Sequence, residues 1–482
     1  MKKTKLVPII KIIVADLDTP LSIYKKVAEE KNSFLLESVE GNDKWSRYSI
    51  IGLPSKRSII VSGQTVTVTD EEGHKDVIET DNPLEFIESY QEEFEVENNV
   101  SLPRFSGGLV GYFGFDTIRY IEPKLKSSMP SKTLDTPDIY LLLVTSFIIF
   151  DNLKRQMTLV KYAEKDNENQ IEENKEFLKN LERKIRISQI KNVNSIQSVA
   201  KSNFEAEFEH DQFIDSITKI KEYIRNGDTM QVVIAQRMST ELNARPIDVY
   251  RALRYLNPSP YLFYFDFGDF SIVGSSPEIL VRLEGDVVTT RPLAGTRKRG
   301  ESDYEDKQLE EELLNDPKEI AEHLMLIDLG RNDIGKVSEI GSVNVIEKMI
   351  VERYSHVMHI SSTVEGKLAK SMGPYDVLKA TLPVGTLSGA PKVRAIEIID
   401  ELEPSKRGIY GGAVGYISWN REMDLAIAIR TAVTKNGRIY IQAGCGVVAD
   451  SIPEKEWEET INKGKALFKA VELAHNGLNL KS

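Results

Sequence analysis

Short runs of strand-forming residues, separated by turns, occupy the chain from about residue 6 to 162 and most constrain its fold. SIIVSG and TVTVTD are typical, and FIIFDNLKRQMTLVKY predicts two strands joined at Asp151 and Asn152. Further along, FIDSITKIKEYIRNGD has apolar residues three or four positions apart and a glycine near its end, which predicts a helix before the strand MQVVIAQR. Helices and strands alternate without a fixed repeat, so we expect an α+β fold rather than a solenoid or propeller.

A polar, highly charged stretch divides the sequence. It runs from AEKDNENQ to SVAKS and is poor in aromatic residues, which predicts a helix followed by a flexible connector. We therefore expect an N-terminal β-rich region (1-165), a charged helix and linker (166-204) and a C-terminal domain (205-475). A chain of 482 residues is long enough for two or three units of domain size.

Charge and cysteine content disfavour several functions. A net charge of -12 argues against nucleic acid or an anionic membrane as the main partner. The single cysteine, Cys445, excludes an internal disulfide framework and fits a reducing compartment. The basic N-terminus is interrupted by Lys11 and lacks a small-residue cleavage site, and the longest apolar run, at 139-150, is too short to span a bilayer. We expect a cytoplasmic protein.

Two predicted helices carry carboxylates three residues apart. Glu456 and Glu459 lie on one predicted helix and share a face with Lys463. Glu319 and Glu322 lie on another predicted helix, far upstream. If the two faces met, each close pair of carboxylates would repel by about 4 kcal/mol at an effective dielectric of about 20. A divalent cation such as Mg²⁺ would relieve this repulsion, since the ligands are oxygens without cysteine. The alternative is that both acidic stripes are solvated surfaces.

Other residues are ambiguous when read singly. The glycines of RPLAGTRKRG and YIQAGCGVVAD permit close approach of a ligand to the backbone, but such segments are also ordinary turns. Arg430 lies in the apolar, strand-like run LAIAIRTAV, so we expect a carboxylate partner, structural or functional. Tyr410, His359 and Glu278 each fit a core or surface role as well as a site.

Taken together, these segments resemble the chorismate-utilising enzymes, and most closely the large, aminase subunits of anthranilate synthase. The resemblance rests on nine motifs in order: GDTMQVVIAQR, NPSPYLFYF, SSPEIL, RPLAGTRKRG, AEHLMLIDLGRNDIG, RYSHVMH, LPVGTLSGAPKVRA, IYGGAVGY and AGCGVVADSIPEKEWEET. It covers nearly all of 205-475 and extends more loosely to FLLESVE in the N-terminal region. It implies two β-sheets packed face to face and flanked by helices, with the active site in the cleft between lobes.

The resemblance also implies how the substrate is held. Mg²⁺ lies between the two acidic helices and holds the ring carboxylate of chorismate; its ligands are Glu322 and Glu459, supported by Glu319 and Glu456. The remaining substrate contacts come from glycine-rich backbone and from cationic and hydroxyl side chains, namely Gly295, Thr296, Tyr410, Arg430, Gly444, Gly446 and Lys463.

The same resemblance assigns the reacting groups. Glu278 matches the general acid that protonates the departing 4-hydroxyl, and His359 matches a histidine associated with elimination of pyruvate. Thr386 lines the pocket. Gln231 stands where water-adding relatives have a lysine base, so amination by ammonia is favoured. Ala294 stands where aminodeoxychorismate synthases usually have lysine, which favours anthranilate as the product.

A regulatory site is implied as well. Six residues match the feedback site for L-tryptophan in this subunit family: Ser38, Pro260, Tyr261, Leu262, Val414 and Tyr416. Leu262 replaces a frequent methionine, a change that nearly conserves volume and is expected to alter affinity little.

The source of nitrogen is not encoded in the chain. Cys445 is not in a G-x-C-x-G nucleophile elbow, so we expect a separate glutamine amidotransferase (glutaminase) subunit as partner, or direct use of ammonia. Two alternatives stay open: an enzyme of the para-aminobenzoate branch, and a non-catalytic binder of chorismate or tryptophan.

Overall fold

A computed structural model describes residues 3-38, 47-97, 102-190, 203-354 and 357-480. Their strands form two large sheets with helices on the outer faces, which confirms the α+β class and the two packed sheets. Eleven strands precede residue 165, and their bounds are β1 (Thr4–Val14), β2 (Ser33–Glu37), β3 (Tyr48–Gly52), β4 (Ser58–Ser62), β5 (Thr65–Thr69), β6 (Lys75–Glu79), β7 (Phe94–Val96), β8 (Gly108–Phe113), β9 (Ile139–Val144), β10 (Ser146–Asp151) and β11 (Gln156–Glu164).

The remaining strands follow the charged helix. Their bounds are β12 (Glu205–Ala206), β13 (Gln231–Glu241), β14 (Tyr261–Asp266), β15 (Phe270–Ser276), β16 (Ile279–Glu284), β17 (Val287–Thr290), β18 (Leu293–Lys298), β19 (Asn344–Arg353), β20 (Val357–Lys367), β21 (Gly389–Ala390), β22 (Ala413–Ser418), β23 (Met423–Ile427), β24 (Thr431–Lys435) and β25 (Arg438–Val447).

The helices are mostly short, and two long ones carry the acidic pairs. Their bounds are α1 (Pro20–Val27), α2 (Pro83–Glu92), α3 (Ile118–Ile121), α4 (Glu168–Ile187), α5 (His210–Arg225), α6 (Pro246–Leu256), α7 (Asp303–Asn315), α8 (Pro317–Gly335), α9 (Pro374–Thr381), α10 (Gly385–Ser388), α11 (Lys392–Leu402) and α12 (Pro453–His475). The predicted helix before Gly227 is α5, the predicted charged helix is α4, and α8 and α12 are the predicted acidic helices.

Each sheet contains strands from both sides of the charged helix. The first sheet runs β12-β13-β25-β24-β15-β14-β2-β3-β10-β11-β1-β7, with β21 also paired to β13. The second runs β18-β20-β17-β16-β23-β22-β8-β9-β4-β5-β6, with β19 also paired to β20. The two parts meet where β2 pairs with β14 and β8 pairs with β22, and we call these two pairings the seam. The predicted segments 1-165 and 205-475 therefore share both sheets instead of forming one sheet each.

An aromatic core fills the space between the sheets. Phe34 and Phe265 of the first sheet stack with ring centroids 5.6 Å apart, and Tyr112 of the second sheet is fully buried in the same cluster. Buried aromatic side chains contribute large apolar areas, so this layer holds the two sheets together across the seam. A separate apolar cluster covers the outer face of each sheet, beneath α6 and α12 on the first and beneath α2, α8 and α9 on the second.

Two facing glycines of the seam allow β9 and β23 to lie close beside β8 and β22. Gly111 and Gly415 are paired, with φ angles of 159° and 153°. A Cβ at Gly111 would lie 2.0 Å from the carbonyl oxygen of Tyr140, and one at Gly415 would lie 2.1 Å from that of Asp424. Only glycine fits at such distances.

The long apolar run at 139-150 is divided between the sheets. Its first half is β9, in the second sheet, and its second half is β10, in the first. Among the described residues, no helix has both the length and the apolar character needed to cross a membrane.

Candidate active site

Glu278 is a buried carboxyl group at the turn between β15 and β16. Its backbone N–H donates to Ser276 Oγ at 3.3 Å, and its carbonyl accepts from the Ile427 N–H at 3.0 Å. Its carboxyl group accepts hydrogen bonds from Thr386 Oγ1 at 3.3 Å and from the Leu293 N–H. Burial raises the pKa of Glu278 to about 8, although these bonds and the nearby cations Lys463 and Arg430 lower it in part. Glu278 is therefore a neutral acid at pH 7.

His359 is held as a neutral imidazole beside Gly295. Its Nδ1 lies 2.9 Å from the Gly295 carbonyl oxygen and 3.1 Å from Thr296 Oγ1. Because a carbonyl can only accept, Nδ1 carries the proton and Nε2 keeps its lone pair. Burial lowers the pKa of His359, and the positive charge of Arg430 lowers it further. Gly295 has a φ angle of 61° and interrupts the register between β18 and β20.

Arg430 does not lie in a strand, contrary to the prediction. It follows β23 in the connection to β24 and has a φ angle of 49°, a conformation rare outside glycine and frequent at functional sites. The structural form of the predicted carboxylate partner is absent: within the described ranges no carboxylate lies within 4.0 Å of its guanidinium. The functional form, a carboxylate of a bound ligand, stays a prediction. Burial lowers the pKa of Arg430, while Tyr410, Glu459 and Glu278 act in the opposite direction. Its charge is thus available to an anionic ligand.

Gly444 and Gly446 were predicted to follow a strand. They lie inside β25 instead. A Cβ at Gly444 would be 3.0 Å from the Tyr410 hydroxyl, and a Cβ at Gly446 would be 2.6 Å from Gln231 Nε2. Tyr410 and Gln231 are thus packed against the strand. The Oε1 atom of Gln231 is buried and accepts no hydrogen bond from the residues that the structure describes. An N–H donor of a ligand would satisfy this orphan acceptor.

The carboxylates of α8 and α12 lie close enough for their charges to interact. Burial raises the pKa of Glu322, and the negative charges of Glu319 and Glu459 raise it further. Burial and the charge of Glu459 likewise raise the pKa of Glu456. These shifts indicate negative charge that the protein compensates only in part. The Lys463 ammonium group supplies some compensation, at 2.7 Å from Glu459 and 2.9 Å from the Gly444 carbonyl oxygen.

The acidic group fits a hard divalent cation by its chemistry. All four side chains offer carboxylate oxygens, the donor type that Mg²⁺ prefers. Glu319 also interacts with Arg297 at 3.5 Å. In the described part of the chain, no three of the four carboxylates have oxygen atoms within 4.8 Å of one another, so the side chains would have to move together to share an ion.

The six residues predicted for the regulatory site line one cavity at the seam. They come together because β2 pairs with β14 in one sheet while β22 runs along the facing sheet. The cavity encloses about 860 Å³ of space, open solvent at its mouth included. Ser38 Oγ is buried there and has no hydrogen-bond partner among the described residues.

Sequence reasoning missed a charged triad in the wall of this cavity. Tyr261 Oη donates to an Asp424 carboxylate oxygen at 2.9 Å, and Arg282 donates to the other oxygen at 2.7 Å. Arg282 could have been singled out from the sequence, because it is a charged residue in the apolar segment ILVRLE. Arg430 was singled out on the same ground, as a charged residue in LAIAIRTAV. The Leu293 N–H that holds Glu278 could not have been found this way, since every residue except proline has such a group.

Comparison with known proteins identifies the family. The family described as chorismate binding enzyme matches residues 36–469, and the chain belongs to it. The relatives include anthranilate synthase component 1 of Pseudomonas putida, 52% identical over 96% of this chain and 94% of that protein. They also include the component 1 protein of Aquifex aeolicus, 48% identical over 97% and 95%.

Solved structures agree with this assignment. Anthranilate synthase component I from Streptococcus pneumoniae has a TM-score of 0.79 and 38% identity, covering 95% of this chain and 99% of its own. The menaquinone-specific isochorismate synthase from Escherichia coli has a TM-score of 0.73 at 20% identity, covering 98% and 95%, which shows the shared fold.

We predict that Glu278 stays protonated through pH 7. In an infrared titration, the absorption band of protonated carboxyl groups should be stronger in the native chain than in Glu278→Gln. That difference should vanish as pH rises through about 8. In Thr386→Val, which removes a hydrogen bond that lowers this pKa, the loss should move to higher pH. A difference band already absent at pH 6 would refute the assignment.

Proposed function

We propose that the chain converts chorismate and ammonia to anthranilate and pyruvate. The observation that carries this proposal is the combination of a neutral buried acid, Glu278, with a buried guanidinium, Arg430, that has no carboxylate partner within 4.0 Å in the described ranges. Chorismate is a dianion with a hydroxyl leaving group, so it requires both a cationic contact and a proton donor. The identity to anthranilate synthase component 1 proteins supports the same activity.

The two carboxylates of chorismate match two cationic regions. Arg430 and Tyr410 are suited to the enolpyruvyl carboxylate, since a guanidinium and a hydroxyl both donate hydrogen bonds to it. The ring carboxylate is suited to the region around Lys463, Gly444 and the acidic helices. When bound, Mg²⁺ would supply positive charge there, held by Glu322 and Glu459 with support from Glu319 and Glu456.

The amination step uses Glu278 as the acid. The ammonia nitrogen forms a bond to C2 of the ring, both ring double bonds shift by one position, and the C4–O bond breaks. The ammonium group formed at C2 then loses one proton. Glu278 gives its proton to the departing hydroxyl, which leaves as water. Burial keeps that proton in place until this step, against the hydrogen bond from Thr386, which lowers the pKa of Glu278.

The elimination step makes the ring aromatic. The proton at C2 is removed and the C3–O bond breaks, which releases pyruvate as its enol. His359 is suited to accept a proton because its Nδ1–H is engaged by Gly295 and its Nε2 lone pair is free of that bond.

The nucleophile is ammonia rather than water in this proposal. Gln231 is a neutral amide and cannot deprotonate water, whereas its orphan Oε1 can accept an N–H of ammonia. Cys445 is buried in β25, where a thiol is inaccessible to glutamine. A glutaminase subunit would therefore supply ammonia from glutamine, consistent with relatives named as component 1.

Product formation tests the proposal. With chorismate, ammonium and Mg²⁺, the isolated chain should give fluorescent anthranilate and an equal amount of pyruvate. With glutamine replacing ammonium, it should give neither. Accumulation of a 4-amino product would instead indicate the para-aminobenzoate branch, which Ala294 disfavours, and binding of chorismate without turnover would indicate a non-catalytic binder.

The cavity at the seam is proposed as a feedback site for L-tryptophan. Its apolar walls, which include Leu262 and Val414, suit an indole ring, and the polar groups Ser38 and Tyr261 suit an amino acid backbone. End-product binding there would place control at the first step towards tryptophan.

We predict that saturating L-tryptophan inhibits the native chain and that Ser38→Phe abolishes inhibition while the uninhibited rate is kept. The added ring would occupy the cavity in place of the ligand. Ser62→Phe, at an exposed position of β4, is the matched control and should stay sensitive. An unchanged rate of the native chain at saturating L-tryptophan would remove this part of the proposal.

A further inference from the structure

Arg407 is an almost fully buried cation held by one carboxylate. It is 3% exposed and Glu403 is 5% exposed. Arg407 Nε lies 3.2 Å and 3.0 Å from the two Glu403 carboxylate oxygens, and Arg407 Nη2 donates to the same group. Burying such a pair is costly, so its retention has to be explained by what its remaining hydrogen bonds do.

Those remaining bonds reach two separate elements. The Arg407 guanidinium donates to the carbonyl oxygen of Leu387 in α10 and to that of Val233 in β13, the latter at 2.6 Å. Glu403 Oε1 accepts the Ala235 N–H of β13 at 2.8 Å. The pair thus joins α10, β13 and the end of α11.

The guanidinium also lies over two aromatic rings. Its central carbon is 4.6 Å from the ring centroid of Phe115 and 5.7 Å from that of Tyr410. A guanidinium over an aromatic face is attracted to it, more strongly where water is excluded. Arg407 therefore fixes the ring of Tyr410 from the side of the protein interior.

The contacts with α10, β13 and Tyr410 lead to residues of the candidate active site. Leu387 follows Thr386, which holds the Glu278 carboxyl group, and Gln231 opens β13. We propose that Arg407, held by Glu403, is a positioning residue that aligns Thr386, Gln231 and Tyr410 around the substrate. This inference rests on the proposed function, because alignment has a consequence only if the chain catalyses a reaction.

Lysine cannot reproduce this arrangement. Its ammonium group keeps the charge but lacks the planar fork that donates in several fixed directions and lies flat on a ring. In Arg407→Lys, the ion pair with Glu403 can persist while the bonds to Leu387 and Val233 and the stacking on Tyr410 weaken. The variant therefore separates positioning from charge.

The test compares Arg407→Lys with Arg119→Lys in the ammonium-dependent reaction. Arg119 is 5% exposed and pairs with Asp400 of α11, and its bonds end on Asp116, Leu125 and Asp400, none of which is a site residue. We expect kcat of Arg407→Lys to fall about ten- to hundred-fold with a much smaller change in the KM for chorismate, since a displacement of about 1 Å has such an effect. Arg119→Lys should keep kcat within about two-fold.

The pH profile gives a readout that a loss of stability would not move. Activity requires protonated Glu278 and falls as pH rises through its pKa. Displacement of Thr386 removes a bond that lowers this pKa, while the other groups that face Glu278, namely Lys463, Arg430 and the Leu293 N–H, remain. The alkaline limb of kcat for Arg407→Lys should therefore move to higher pH.

Glu403→Gln provides a second variant of the same unit. The amide keeps an acceptor for Ala235 but weakens its hold on Arg407, so kcat and the alkaline limb should shift in the same directions by smaller amounts. Equal kinetics of Arg407→Lys and Arg119→Lys, an unmoved alkaline limb, or failure of both Arg407→Lys and Glu403→Gln to fold would overturn the positioning role. An inactive native chain would instead count against the proposed function.

Discussion

The repulsion between carboxylates of α8 and α12 is the constraint on which the site depends. Apolar packing opposes it: α12 buries Leu467, Ala470 and Val471 against the first sheet, and α8 buries Leu326 and Ile327 beside the second. Helices packed on two different sheets thus bring like charges together. Part of that charge is balanced by Lys463, and the rest is available to attract a cation.

The polar groups of the site are prepared for proton transfer by burial. Glu278 is kept neutral although it is an acid, and His359 is kept neutral although it is a base, because burial disfavours the charged form of each. The proposed reaction begins with Glu278 protonated and His359 neutral. The nearby charge of Arg430 lowers the pKa of both.

Local patterns in the sequence predicted much of this arrangement. The helical spacing of Glu319 with Glu322 and of Glu456 with Glu459 was correct because residues three apart on a helix share a face whatever the fold is. Nine motifs then placed the chain in its family, which the comparisons confirm. The metal, the roles of the site residues and the regulatory ligand stay predictions.

Contacts between distant parts of the chain were beyond the sequence patterns. Neither the pairing of β2 with β14 nor that of β8 with β22 leaves a local signal, so the sharing of both sheets by segments 1-165 and 205-475 could not be derived from sequence patterns. Arg430 was placed in a strand because its neighbours are apolar and β-forming, and its positive φ angle was invisible. Arg407 likewise donates to the backbone carbonyl oxygens of Leu387 and Val233. Such bonds cannot be predicted from residue types, because every residue has a carbonyl group.

Calorimetric titration of Mg²⁺ into the purified chain, with and without chorismate, tests the central claim most directly. The account predicts binding of one ion that tightens when chorismate is present, because each ligand offsets charge that opposes the other. It also predicts loss of that binding in the double variant Glu322→Gln and Glu459→Gln, with Glu458→Gln, exposed on the same helix, behaving as the native chain. Equal Mg²⁺ affinity of the native chain and the double variant would contradict it.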